Sequence, residues 1–307
     1  MQITAEMVRE LREKTGAGMM DCKRALSESG GEMEAAVDVL RKKGLAAAAK
    51  KSSRIASEGV VAAHVTEGSA TLVEVNCETD FVAKTDDFQT FAMQVAEVVN
   101  AKGPKDVEEA LLLPGGGGVP IADMLNEKVA KIGEKISFRR FARYALPAGA
   151  RGVIVPYIHA GGKIGVVVEL LGAGPDDGEF RALGKDMAMQ VAAANPLFLS
   201  RGDIPAEAIE REKAIYREQA LAAGKPEKIL DRIAEGKLEK FYGDFCLLEQ
   251  AFIRDPERRV SDLLKEMSAK KGEDVRVGRF ARFQVGEGLE KRSEDLASEV
   301  AKQLGQG

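Results

Sequence analysis

Apolar positions along this chain follow two periods, and the place where one gives way to the other is the most informative stretch. Ala70-Thr71-Leu72-Val73-Glu74-Val75 is β-branched and apolar, the composition of a half-buried strand. Phe88, Phe91, Val95 and Val98 then recur at three- and four-residue spacing, the buried stripe of a helix. Asp86 with Gln89 reads as a capping box and predicts a helix start near Asp87. Thr79, Asp80, Phe81 and Val82 fall between the two periods. An acidic residue beside a large apolar one on a short connection is a candidate contact tip. The same residues also read as turn or cap residues, with Phe81 folded back into the core.

Upstream, Thr4 is a candidate N-cap for a helix carrying Met7, Val8 and Leu11. A second helix over 19–29 carries Met20, Cys22, Ala25 and Leu26 and stops at Gly30-Gly31. A third over 32–43 carries Met33, Ala36, Val37 and Leu40 and stops at Gly44. Three short amphipathic helices predict a small bundle near the lower size limit for a domain. Arg41 to Arg54 follows as a basic run without interleaved aromatics, which reads as a solvated linker rather than an RNA-binding segment.

From Gly59 onward the chain repeats itself. Gly59-Val60-Val61 recurs as Gly152-Val153-Ile154, and Val73-Glu74-Val75 as Val168-Glu169-Leu170. Ala92-Met93-Gln94-Val95-Ala96 recurs as Ala188-Met189-Gln190-Val191-Ala192, and Arg140-Phe141-Ala142-Arg143-Tyr144 as Arg279-Phe280-Ala281-Arg282-Phe283. Each copy reads as a β-hairpin, a helix, a second helix and a closing strand. The fold class predicted is α+β: a duplicated core with antiparallel sheets, each covered by helices on one face. The second copy is longer, and its extra residues lie between Ala192 and Arg259. Within them, 205–223 and 226–241 read as two helices joined by Gly224-Lys225, an antiparallel hairpin with a thin seam of Ile209, Tyr216, Ile229, Leu230 and Ile233. The expected organisation is a three-helix segment with basic linker over 1–54, one repeat over 55–145, and a second over 146–283 with its insertion near 200–242. A C-terminal helical module over 284–307 carries Leu296, Val300 and Leu304.

Composition narrows the function classes. A net charge of -4 argues against a general nucleic-acid binder, which needs a concentrated positive field. No apolar run approaches the roughly 20 residues that span a bilayer, so no membrane role is expected. Cys22, Cys77 and Cys246 are odd in number and widely spaced, which indicates neither a disulfide framework nor a metal site and fits a reducing cytoplasm. Pro114-Gly115-Gly116-Gly117-Gly118 is no phosphate loop, because no Gly-Lys-Ser/Thr follows it; it reads as a flexible connection. His159 sits at a glycine-flanked hairpin turn, where a lone histidine is usually structural or merely exposed. The chain offers no nucleophile–base pair and no metal-ligand spacing, so a binding protein without cofactors is expected rather than an enzyme.

The string Val75-Asn76-Cys77-Glu78-Thr79-Asp80-Phe81-Val82-Ala83 resembles a signature of the elongation factor Ts family, and Thr15-Gly16-Ala17-Gly18-Met19-Met20-Asp21-Cys22-Lys23 resembles the family's other signature. The resemblance implies that the N-terminal helices are similar to a ubiquitin-associated domain. It implies a partner, elongation factor Tu in its GDP-bound and nucleotide-free states, from which Mg²⁺ and GDP are displaced. Phe81 would be the apolar wedge, Asp80 the polar group beside it, and Thr79 and Val82 the supports that aim the loop. Arg12, Met19 and Met20 would touch the partner's nucleotide-binding domain, although core packing is an equal reading for the methionines. Tyr157 and His159 would touch its third domain, and the C-terminal helix would reach back to the nucleotide-binding domain. The inserted hairpin would protrude as a coiled coil for self-association in a homodimer; packing on its own domain is the other reading. An adaptor working through the N-terminal helices is the alternative function, with RNA binding through Arg41–Arg54 behind it.

Overall fold

The computed structural model describes residues 3–15 and 17–290. Helix α1 (Ala5–Thr15) starts where the Thr4 hydroxyl accepts the Met7 amide at 3.2 Å. It packs with α2 (Met19–Glu28) and α3 (Met33–Lys51) around Leu11, Cys22, Ala25, Leu26 and Ala36. Gly30 and Gly31 make the turn between α2 and α3 with φ of 64° and 93°, a conformation that favours glycine.

Helix α3 does not stop at Gly44. The helix-favouring Ala46–Ala49 run carries it on to Lys51, and Gly44 instead permits a close approach to the core. A Cβ there would stand 3.4 Å from the Asn126 carbonyl oxygen. Arg41 pairs with Asp123 at 2.6 Å. Most of the basic run is therefore a helix docked on the core, not a solvated linker. A glycine signals a helix end only where its φ turns positive, and here it does not.

The first repeat comprises β1 (Glu58–Thr66), β2 (Ser69–Cys77), the one-turn α4 (Asp80–Ala83), α5 (Asp86–Lys102), α6 (Val107–Leu112), α7 (Ile121–Ile132) and β3 (Ser137–Ala145). The strands form an antiparallel sheet in the order β1-β2-β3. Helix α5 is capped by Thr85, whose hydroxyl accepts the Phe88 amide at 3.4 Å, and not by the expected Asp86 box. Gln89 reaches back to the Ala83 carbonyl instead. The stretch 114–120 closes on itself through Gly115 N–H to the Val119 carbonyl at 2.8 Å.

The second repeat comprises β4 (Gly152–His159), β5 (Ile164–Leu171), α8 (Gly178–Ala194), the inserted α9 (Ala206–Ala222) and α10 (Leu230–Phe245), the small hairpin β6 (Ala251–Phe252) and β7 (Asp255–Arg259), α11 (Val260–Lys271) and β8 (Arg276–Gln284). Its sheet runs β4-β5-β8, and its middle strand carries a bulge at Glu169/Leu170, matching Glu74/Val75 in β2. Arg201 roots the inserted hairpin, pairing with Glu239 at 2.7 Å and with Glu249, and lying 4.3 Å over the Tyr242 ring.

Alternation along the strands explains how the two units meet. Val60, Ala62, Val73 and Val75 face the helices with Phe88, Phe91 and Val95, while Val61, Ala70 and Leu72 face the other sheet with Ile154 and Val167. The layers are helix, sheet, sheet, helix, so β2 is buried on both faces rather than half-buried. The contacts between units are reciprocal. Arg140 lies 4.3 Å over the Phe283 ring and donates to the Gln284 carbonyl at 3.2 Å. Its repeat equivalent Arg279 lies 4.3 Å over Tyr144 and donates to the Ala145 carbonyl at 3.2 Å. Such an interface is isologous, as in a twofold dimer. No helix among the described residues is long and apolar enough to cross a membrane. The segment carrying Leu296, Val300 and Leu304 lies outside the described residues.

Candidate functional site

The β2–β3 ladder ends at the pair Asn76↔Ser137. Past that point the strands diverge, and the amides of Glu78, Thr79 and Lys135 lose their backbone partners. Two carboxylates replace them. Glu134 accepts the Glu78 and Thr79 amides, both at 3.1 Å, while Glu78 accepts the Lys135 amide at 2.6 Å and the Arg54 guanidinium at 3.1 Å. Each loop's glutamate thus holds the other loop's backbone.

On that base sits α4. Thr79 donates its hydroxyl to Glu134 at 2.7 Å, and the same oxygen accepts the Val82 amide at 3.3 Å as the N-cap. Cys77 donates to the Thr79 carbonyl at 3.1 Å, and burial pushes its thiol up to about 12, so it stays neutral. Ala83 is buried and Val82 packs against the first core. Phe81 points the other way and is 79% exposed. Few large apolar side chains stand so free of their own fold, and this exposure rules out the reading of Phe81 as a core residue. Asp80 is hydrogen-bonded by the Lys84 ammonium at 2.5 Å, which holds its carboxyl below the ordinary value and keeps it ionised near neutrality. The tip offers an apolar ring and a carboxylate, with no group placed for proton transfer or nucleophilic attack.

Met19 and Met20 are 59% and 66% exposed on the first turn of α2, outside the helical core, and Arg12 is exposed on α1. Tyr157 and His159 stack at the end of β4, the tyrosine hydroxyl 3.1 Å from His159 Nδ1. The following Ala160 has a φ of 50°, a strained value for a residue with a Cβ. The hairpin is braced on the first repeat by Lys163 to Glu58 at 2.5 Å. The structure therefore gathers Thr79–Val82 into one tip and pairs Tyr157 with His159, while Arg12, Met19 and Met20 belong to the N-terminal helices. Among the described residues, no group of three or more His, Cys, Asp or Glu side chains could hold a metal ion.

Sequence reasoning missed Glu134, Glu78 and Lys84. Gly133-Glu134 recurs in the second repeat as Gly272-Glu273, a likeness that carries no sign of Glu134's reach across to Thr79.

A family model described as Elongation factor TS matches residues 78–287. The chain is 51% identical over 303 residues to an elongation factor Ts from Syntrophotalea carbinolica, covering 98% of this chain and 99% of that one. It is 48% identical over 305 residues to an elongation factor Ts from Clostridium perfringens, covering 99% of each. A third, from Clostridioides difficile, is 48% identical over 304 residues, covering 98% of this chain and 99% of that one.

Proposed function

The chain belongs to the elongation factor Ts family of translation factors, and from that premise we propose that it promotes release of GDP from elongation factor Tu by displacing Mg²⁺ and disturbing the phosphate site. The observation that carries this reading is Phe81, an exposed aromatic on a one-turn helix anchored by a cap and a carboxylate clamp. A GTPase holds GDP through its phosphate loop and a bridging Mg²⁺. A protein that binds the nucleotide-free state more tightly weakens nucleotide binding by the same factor. Phe81 supplies a ring that loses water when inserted between partner helices, and Asp80 supplies a charge beside it. No bond is made or broken; the work is done by differential binding.

Magnitudes set how much one residue does. Weakening nucleotide about 10³-fold takes about 4 kcal/mol of coupling, and burying a phenylalanine gives roughly 1.5–3 kcal/mol. The wedge falls short alone, so Met19, Met20, Tyr157 and His159 supply the rest from a broad interface. Stopped-flow release of fluorescent GDP from elongation factor Tu tests the reading. Phe81→Ala loses about 10- to 150-fold of the acceleration and stays folded, because its side chain packs little against its own domain. Undiminished acceleration by the folded variant overturns the proposal.

A further inference from the structure

We propose that Glu134 is the positioning residue of this tip: its carboxylate, crossed with that of Glu78, fixes where Phe81 points. The inference rests on the exchange reading above for its functional half, and on the free protein's geometry for the other.

A helix of four residues cannot hold itself, since the first turn fixes several dihedral angles for one hydrogen bond. Its direction is set by whatever holds Thr79. Glu134 holds that residue and the one before it at three points: the Glu78 amide at 3.1 Å, the Thr79 amide at 3.1 Å and the Thr79 hydroxyl at 2.7 Å. The last contact also decides the cap. A threonine hydroxyl has one proton, and committing it to Glu134 turns the oxygen's lone pairs toward the Val82 amide. An amide in place of the carboxylate keeps one acceptor atom and turns an NH₂ donor toward either the amides or the hydroxyl. Turned toward the amides, the NH₂ leaves two donors facing a donor; turned toward the hydroxyl, it reverses that bond and strips the hydroxyl proton of its acceptor.

The second repeat supplies the contrast. Aligning Glu74 with Glu169 brings Glu78 onto Ala173 and Thr79 onto Gly174, and the motif Gly272-Glu273 matches Gly133-Glu134. In that copy Glu273 pairs with Arg151 on the surface, and no carboxylate stands at Ala173. The copy without an exposed aromatic tip also lacks the crossed clamp, although it keeps the strands, the bulge and the glutamate. Closing the sheet end therefore does not require the clamp. It accompanies the tip.

The test uses the full chain, elongation factor Tu loaded with fluorescent GDP, and the variants Glu134→Gln, Phe81→Ala and the double variant. Glu134→Gln is expected to lower the maximal release rate about tenfold, the loss of charge-assisted bonds to the loop. The concentration giving half-maximal rate should stay within about twofold, because the rest of the interface is intact. In the Phe81→Ala background the same change should have no further effect, since a positioning residue has nothing left to aim. Equal slowing in both backgrounds shows a general structural role and overturns the proposal, as does no slowing where Phe81→Ala slows. Amide hydrogen exchange of the free protein is read alongside, and Glu134→Gln should speed exchange at residues 79–84. Unchanged protection there overturns the clamp whatever the kinetics do. If Phe81→Ala itself leaves release unaffected, the exchange reading fails while the hydrogen-exchange arm still decides the clamp.

Discussion

The two repeats share strand order, a bulge at the same place in the middle strand and reciprocal arginine–aromatic contacts, yet they elaborate opposite ends. In the first, the β1–β2 hairpin closes tightly over Glu67 and Gly68, and the chain leaving β2 becomes the Phe81 tip. In the second, the chain leaving β5 is glycine-rich and ends in Asp177, which caps α8 by accepting the Phe180 amide at 3.0 Å. Its hairpin end instead carries Tyr157, His159 and the strained Ala160. One scaffold used twice thus presents different chemistry from different loops. The scaffold answers to packing, and the loops are free to differ because little of the core depends on them.

The sharpest asymmetry inside the scaffold is electrostatic, and it predicts the largest effect. Glu74 is 0% exposed and bound by Arg139 at 3.0 Å, Arg140 at 2.6 Å, Asn76 at 3.1 Å and the Gly286 amide at 2.8 Å. Its equivalent Glu169 is 7% exposed and bound by Arg279 at 2.8 Å. Removing one partner of a buried ionic network leaves the others uncompensated. Glu74→Ala should cost about 3–5 kcal/mol of stability in denaturant unfolding. Glu169→Ala should cost about 1–3 kcal/mol, with a single arginine left near solvent. Equal losses would mean that the two central glutamates are interchangeable and that the asymmetry is confined to the loops.

Legibility in the sequence followed the same division. Period-2 and period-3.6 patterns located both hairpins and the long helices, and the internal repeat gave the duplicated α+β core before any contact was known. Gly44 misled because a glycine serves equally as a helix end or as a place where two helices close in, and only the docked α7 distinguishes them. Thr85 and Asp86 are both good caps, so local preference alone could not choose between them. The position of the tip was legible as a break in periodicity. Its direction was not, because an isolated Phe carries no sign of which way it faces. Glu134 was invisible for a further reason: side-chain bonds to distant backbone amides leave no spacing pattern. Only the fold brings 134 beside 78 and 79.

A smaller effect separates the second helices of the two repeats. Glu127 of α7 lies under the N-terminal helices, beside a cavity of about 210 Å³ also lined by Thr15, Asp21, Lys43 and Lys131. Burial, then the neighbouring Asp123, pushes its carboxyl up to about 7 against the pull of Lys128. A raised carboxyl favours the docked state fully below its ordinary value of 4.5 and loses that contribution as pH rises through about 7. Because the group is only half-buried, screening limits the loss to on the order of 1 kcal/mol. The counterpart Glu266 of α11 is exposed and paired with Arg258. Thermal midpoints at about pH 5.5 and about pH 8.5 check this. Glu127→Gln should flatten the alkaline decline and Glu266→Gln should leave it unchanged. A matching response from both would remove burial under the N-terminal helices as the cause.

The smallest expected effect belongs to the end that the second repeat elaborates. Tyr157→Phe removes the hydroxyl that meets His159 Nδ1 at 3.1 Å, and His159→Ala removes the ring it stacks on. His159 is exposed and Tyr157 half-buried, so folding stability should move by no more than about 0.5 kcal/mol. Contacts at the rim of an interface are worth up to about 1 kcal/mol, so each change should slow GDP release from elongation factor Tu by no more than about fivefold. The ordering matters more than either value. If, as proposed, Phe81 inserts a whole ring and the Tyr157–His159 pair meets a surface, the first repeat should dominate the maximal rate and the second should act on the concentration needed to reach it. If His159→Ala lowers the maximal rate more than Phe81→Ala does, the roles of the two repeats are reversed and the hairpin, not the clamped tip, is the part that opens the nucleotide site.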